Sequence, residues 1–77
     1  MADPVSWFLI EPGWQVVDSA GAELGKVAEV RGEEEQDIFD GLVVGLSMRD
    51  KRYVPSEHVG PIIEGRVELT VSADELG

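Results

Sequence analysis

Short apolar runs alternate with polar turns along most of the chain. Each run is closed by glycine, proline or a charged turn, and the runs occupy positions 14–17, 24–30, 38–46, 53–54, 62–63 and 67–71. Short apolar runs at intervals of roughly ten residues are typical of small β structures. The pattern therefore predicts an all-β fold whose sheet closes around its own interior.

The strand predicted at positions 66–71 has the clearest alternation. Val67, Leu69 and Val71 fall on one face, and polar residues separate them. This pattern indicates one wet face and one dry face. Positions 38–47 alternate in the same way and predict the longest strand of the sheet.

Positions 24–31 fit a helix or a strand. Leu24, Val27 and Val30 recur every three residues, which suits a helix. Gly25 and the glycines on either side of the window argue against it, because glycine is a poor helix former. We expect a strand with a bulge near Ala28 that turns the three apolar side chains inward.

Turn signals define the connections. Positions 18–21 predict a tight turn that begins with Asp18, positions 32–37 a polar loop, and positions 48–51 a hairpin tip. Ser72 followed by Glu75 matches a capping box and predicts a short C-terminal helical turn. The apolar tetrad at positions 7–10 predicts either a short first strand or an arm that docks on the barrel.

Composition narrows the class of protein. The 77 residues suffice for one domain, which we place at 1–77 with a core at 13–76 and an N-terminal arm at 1–12. Hydrophobic residues make up 43%, too many for a disordered acidic tail. The absence of cysteine rules out disulfides and thiolate metal sites, and suits a cytoplasmic protein. The start of the chain has neither the basic segment nor the apolar length of a signal peptide. We expect a cytoplasmic protein with no direct membrane insertion.

The charge balance restricts the partners. Sixteen acidic residues against six basic ones leave a net charge of -10. Affinity for nucleic acid comes largely from lysine and arginine, so we expect no nucleic-acid partner. The charge favours a protein partner with a basic surface.

Four segments together resemble the PRC-barrel domain family. They are positions 17–27, with the sequence G-x-x-L-G-K-V, positions 39–44, positions 52–55, with Y-V-P, and positions 67–71. The resemblance spans roughly residues 13–76 and implies a strongly bent, PRC-like β-barrel of about six strands. A barrel of this kind is similar to those of the photosynthetic reaction-centre H subunit and of a ribosome maturation factor. The resemblance implies no shared catalytic residues and no cofactor, so we assign neither.

Two candidate chemical sites are weak. His58 follows Ser56 and Glu57, but three adjacent side chains in a turn rarely form the relay of a hydrolase triad. The acidic positions 33–37 lack the ligand spacing of a calcium loop and predict a solvated loop rather than a metal site.

Two clusters are candidates for an interface. Trp7, Phe8 and Trp14 place three of the five aromatic residues in the first fourteen positions, and exposed aromatics commonly anchor interfaces. Arg49 and Arg52, with Lys51 between them, hold half of the basic charge. That hairpin is either a contact for an acidic partner or a soluble tip that discourages edge pairing.

The sequence leads us to expect a non-catalytic interaction and assembly module that forms a homodimer. The alternative is an accessory subunit that docks on a basic surface of a membrane or redox complex. An RNA-processing role, as in the ribosome factor, fits the charge poorly.

Overall fold

A computed structural model describes residues 6–76 and contains one six-stranded sheet. The strands are β1 (Gln15–Val17), β2 (Glu23–Glu33), β3 (Ile38–Gly45), β4 (Lys51–Pro55), β5 (Val59–Ile63) and β6 (Arg66–Leu69). Three short 3₁₀ turns lie at Trp7–Leu9, Ser56–His58 and Ala73–Leu76. The predicted all-β fold class is confirmed.

The strand order places the first and last strands side by side. The order is β4-β3-β2-β1-β6-β5, and β1 pairs in parallel with β6 while the other neighbours are antiparallel. Within residues 6–76 no ladder joins β4 to β5, so the sheet is open along that seam and the predicted closure of the sheet is wrong. The 3₁₀ turn Ser56–His58 carries the chain from one edge strand to the other.

The core lies on the concave face of this one sheet. Its fully buried side chains come from β1, β3, β4 and β6, and they are Val16, Leu42, Val44, Val54 and Val67. Side chains on a flat, uncovered sheet would stay in contact with water. The sheet therefore has to coil around them, and the bulges in β2 and β5 increase the local twist that coiling requires.

The bulge predicted in β2 is confirmed. The pairing of β2 with β3 shifts register between Val27 and Glu29, which leaves Ala28 as the extra residue. Val27 is buried, and Leu24 and Val30 pack against the same core. The extra residue Ala28 thus places Val27 and Val30 on one face, and a second irregularity, at Leu24 in the pairing of β2 with β1, accounts for the spacing from Leu24 to Val27.

Two predicted turns are also confirmed. Asp18 is buried and accepts hydrogen bonds from the backbone N–H groups of Ala20 and Ala22, both at 2.9 Å. The C-terminal helical turn is present as Ala73–Leu76, with the Glu75 N–H donating to the Ser72 carbonyl at 3.1 Å.

Several predicted boundaries are wrong. The longest strand is β2, with 11 residues, because the β2–β3 hairpin keeps pairing through its acidic end and shortens the predicted 32–37 loop. β3 stops at Gly45 because the Leu46 and Ser47 N–H groups turn to the Asp50 carbonyl. The strand alternative for positions 7–10 is also wrong, because that segment forms a 3₁₀ turn.

Candidate functional site

The N-terminal 3₁₀ turn, Trp7–Leu9, is fixed on the sheet by its first residue. The indole of Trp7 stacks on Phe39 of β3, with ring centroids 5.1 Å apart and planes inclined by 15°. Its Nε1–H donates to Asp37 Oδ1 at 3.0 Å. At the other end of the turn Ile10 is buried in the core. The described part of the predicted N-terminal arm therefore packs on its own sheet through Trp7 and Ile10, and residues 1–5 of that arm lie outside the described residues.

This anchoring turns the next two side chains toward solvent. Phe8 is 42% exposed and Leu9 is 56% exposed. Phe8 retains an aromatic contact with Trp7, with ring centroids 4.5 Å apart. The turn thus exposes two apolar side chains next to its anchored first residue.

A cavity of about 250 Å³ opens beside the turn. It is lined by two apolar residues, Leu9 and Trp14, and two acidic residues, Glu11 and Glu64. We refer to Phe8 together with these four residues as the N-terminal surface. It combines exposed apolar area with a small recess lined by two acidic residues.

The topology explains why residues far apart in sequence line one cavity. β1 and β6 run in parallel, with Gln15 opposite Arg66. Neighbouring parallel strands begin at the same end of the sheet, so the turn before β1 and the turn before β6 lie side by side. Glu11 lies in the first of these turns and Glu64 in the second. The Gln15 N–H donates to the Gly65 carbonyl at 3.0 Å and holds the two turns together.

The backbone around Trp14 is held on both sides. The Trp14 N–H donates to the Glu11 carbonyl at 3.2 Å, and the Trp14 carbonyl accepts from the Val27 N–H at 2.8 Å. The Gly13 N–H donates to the Val27 carbonyl at 2.8 Å. The cavity wall formed by Trp14 therefore rests on the edge of the ladder rather than on a long loop.

The predicted basic cluster lies elsewhere. Arg49 belongs to the turn between β3 and β4, and Arg52 lies on the edge strand β4, both exposed. The Ser47 Oγ accepts from the Arg49 and Asp50 N–H groups, at 3.3 Å and 3.1 Å, and shapes this tip. The structure does not place these arginines with the cavity residues.

The two weak chemical candidates acquire structural roles. Ser56, Glu57 and His58 make one 3₁₀ turn, and the His58 carbonyl accepts from the Thr70 N–H at 2.9 Å. In the acidic loop, Asp37 takes the hydrogen bond from Trp7. Among residues 6–76 no group of three or more acidic, histidine or cysteine side chains is placed to hold a metal ion.

Sequence reasoning found Trp14 but missed the other three residues that line the cavity. Glu11 and Glu64 each precede a glycine turn, Glu11-Pro12-Gly13 and Glu64-Gly65, and that shared pattern was the available signal. It could not be used without knowing that β1 pairs with β6.

The fold and surface define a small, coiled, single-sheet β domain with a shallow acidic recess at the end of the sheet where β1 and β6 begin. The family model for the PRC-barrel domain matches residues 13–76, and the chain belongs to that family. The predicted resemblance is therefore confirmed. No curated protein matches the chain. The match begins at Gly13, so the N-terminal turn and Glu11 lie outside it.

Within the described part of the chain, no helix has the length and apolar character needed to cross a membrane.

Proposed function

We propose that this chain is a non-catalytic interaction module that docks through its N-terminal surface on a partner protein with a basic surface. The observation that carries the proposal is the outward display of Phe8 and Leu9 on a turn that Trp7 anchors. Rigid apolar side chains lose little entropy on binding, which makes them suitable anchors.

Charge supports a basic partner. The chain has a net charge of -10, and Glu11 and Glu64 line the same cavity as the exposed Leu9. Complementary charges steer encounter and reject like-charged partners. The same balance counts against nucleic acid and against anionic lipid surfaces.

A non-catalytic role agrees with the local geometry of the weak triad candidate. Ser56, Glu57 and His58 are consecutive in one 3₁₀ turn, whereas a relay needs a base that lies between a nucleophile and an orienting group.

Self-association is the second candidate, and two observations favour it. Phe8 and Leu9 are exposed, and the edge strands β4 and β5 each leave one side of their backbone outside the ladders of residues 6–76. Two features weaken it. A two-fold interface at the N-terminal surface would bring the acidic residues of two copies together. The β5 edge contains Pro61 and a register shift, both of which disfavour strand addition.

Site-specific photo-cross-linking tests both candidates. A photoreactive residue replaces Leu9 in the full chain, and a matched variant carries it at Met48, which is 99% exposed at the β3–β4 turn. The proposal expects one heterologous product from the Leu9 variant, formed with a protein that has a basic surface. Association of the purified pair should weaken as salt rises from about 0.05 M to 0.5 M.

The outcomes separate the hypotheses. A product of twice the chain mass, with a dimer in light scattering at high micromolar concentration, would support self-association instead. A product from Met48 and none from Leu9 would move the interface to the basic hairpin and refute the N-terminal surface. Salt-independent association would refute the electrostatic part of the proposal.

A further inference from the structure

We infer that the cavity lined by Leu9, Glu11, Trp14 and Glu64 receives a single cationic side chain, a lysine or an arginine, from the partner protein. The inference rests on the proposed function and names the feature that the partner would insert. It goes beyond the family match, because Leu9 and Glu11 precede the matched residues 13–76.

The size of the cavity sets the class of ligand. Its volume is about 250 Å³, below the range of roughly 300–1,000 Å³ that is usual for drug-sized molecules and cofactors. A recess of this size suits one long side chain.

The walls match the two parts of such a side chain. Leu9 and Trp14 offer apolar contact to an aliphatic stem, and an indole face attracts a cation. Glu11 and Glu64 supply carboxylates for the charged end, which would bind an ammonium or a guanidinium by charge-assisted hydrogen bonds. An anionic side chain would be repelled by these carboxylates, and a neutral polar side chain could donate a hydrogen bond but would form no ion pair.

A metal ion fits the site less well. Calcium takes six to eight oxygen ligands, and this recess offers two carboxylates beside two apolar walls. An organic cation uses both halves of the lining.

The position of the cavity couples it to docking. Leu9 both lines the cavity and is 56% exposed on the turn. A partner that covers Phe8 and Leu9 would therefore also cover the mouth of the recess and shield the ion pairs from water. Such shielding strengthens pairs that contribute little when they are exposed.

NMR titration of the isolated chain tests the inference without the partner. The probe is N-acetyl-lysine N-methylamide, followed by amide and indole resonances of the ¹⁵N-labelled protein, and N-acetyl-norleucine N-methylamide is its uncharged counterpart. The lysine probe should shift the amides of the four lining residues and the Trp14 indole, whereas the norleucine probe should shift them much less. The arginine analogue should act on the same resonances.

A pair of double variants with equal charge change separates the site from the general field. The double variant Glu11→Gln with Glu64→Gln should lower the affinity for the lysine probe on the order of tenfold. Each exposed ion pair contributes a factor of a few to that affinity. The control, Glu35→Gln with Glu57→Gln, removes two exposed carboxylates outside the cavity lining and should change the affinity less than twofold.

Three results would overturn the inference: shifts scattered over the acidic surface, equal shifts from both probes, or equal weakening in the two double variants. If the cavity fails to respond while cross-linking from Leu9 still captures a basic partner, the side-chain receptor is refuted and the interaction module stands. If cross-linking from Leu9 also fails, both are refuted.

Discussion

The substitution Gly25→Ala should destabilise the domain because β2 and β3 approach too closely there to admit a methyl group. A Cβ at position 25 would collide with the carbonyl oxygen of Gly45, and it would lie 3.0 Å from the carbonyl carbon of that residue. It would also lie 3.3 Å from the Cα of Leu46. All three atoms belong to the backbone, so relief requires the strands to separate.

The magnitude follows from two opposing terms. Inserting a methyl into a tightly packed site costs about 1–3 kcal/mol. Replacing glycine restricts the unfolded chain and returns about 0.4–1 kcal/mol. Because the obstructing atoms belong to the backbone, we take the upper half of the first range, about 2–3 kcal/mol. We therefore expect a net loss of about 1–2.5 kcal/mol in the free energy of unfolding, which corresponds to a fall in Tm of roughly 4–20 °C for a domain of this size.

Gly45→Ala is the matched control, because it places a methyl on the neighbouring strand where there is room. The nearest atoms would be the Lys26 carbonyl oxygen at 3.6 Å and the Ala28 Cβ at 4.0 Å, which are ordinary contacts. This variant should be neutral or gain up to about 1 kcal/mol. Urea unfolding followed by tryptophan fluorescence measures both variants. Equal midpoints for the two would refute the close approach of β2 and β3.

Three further substitutions test the core, the anchored turn and the buried carboxylate. Trp7→Ala should cost about 2 kcal/mol through the loss of its stack on Phe39 and its hydrogen bond, and a concentration-dependent Tm of the unsubstituted chain that disappears in this variant would show instead that Trp7 acts between copies. Asp18→Ala should cost about 2–3 kcal/mol because two backbone amides lose their acceptor, whereas Asp18→Asn retains an acceptor and should recover most of it in the same urea titration. Leu42→Ala should cost about 2–5 kcal/mol by opening a cavity in the core, while Met48→Ala should leave the unfolding midpoint unchanged; similar losses for both would contradict the assignment of the core.

Local chemistry made much of the fold predictable. The Asp18 turn and the C-terminal turn each depend on contacts within a few residues, which the sequence specifies directly. The bulge at Ala28 lies between two strands, but the three-residue spacing of the apolar residues in β2 indicated it. The close approach at Gly25 also explains physically why glycine stands in the G-x-x-L-G-K-V segment on which the family resemblance depended. That contact joins two strands, so its cause was visible only in the structure.

The predictions that failed depend on which groups the backbone finds as partners. The segment at positions 7–10 is apolar enough for a strand, but Ser6 caps a 3₁₀ turn there, with its Oγ accepting from the Phe8 N–H at 3.2 Å. Trp7 then finds Phe39 and Asp37, two residues that the sequence placed in another strand and in a solvated loop. Propensity alone cannot decide such a segment, because the competing contacts are tertiary.

The candidate site could not be predicted from the sequence because it depends on which strands pair. The same strand pairing affects whether a second copy or a different protein suits the site. The parallel pairing of β1 with β6 brings Glu11 and Glu64 to the same end of the sheet, beside apolar residues that a docked partner would bury. Small domains often gain stability by pairing, which by itself favours the predicted homodimer. A symmetric dimer with its interface at that end of the sheet would place four carboxylates around buried apolar area, where water and salt screen their repulsion least. Glu11 and Glu64 would repel the same residues of a second copy but attract a basic partner. The charge of the site therefore favours a different protein over a second copy.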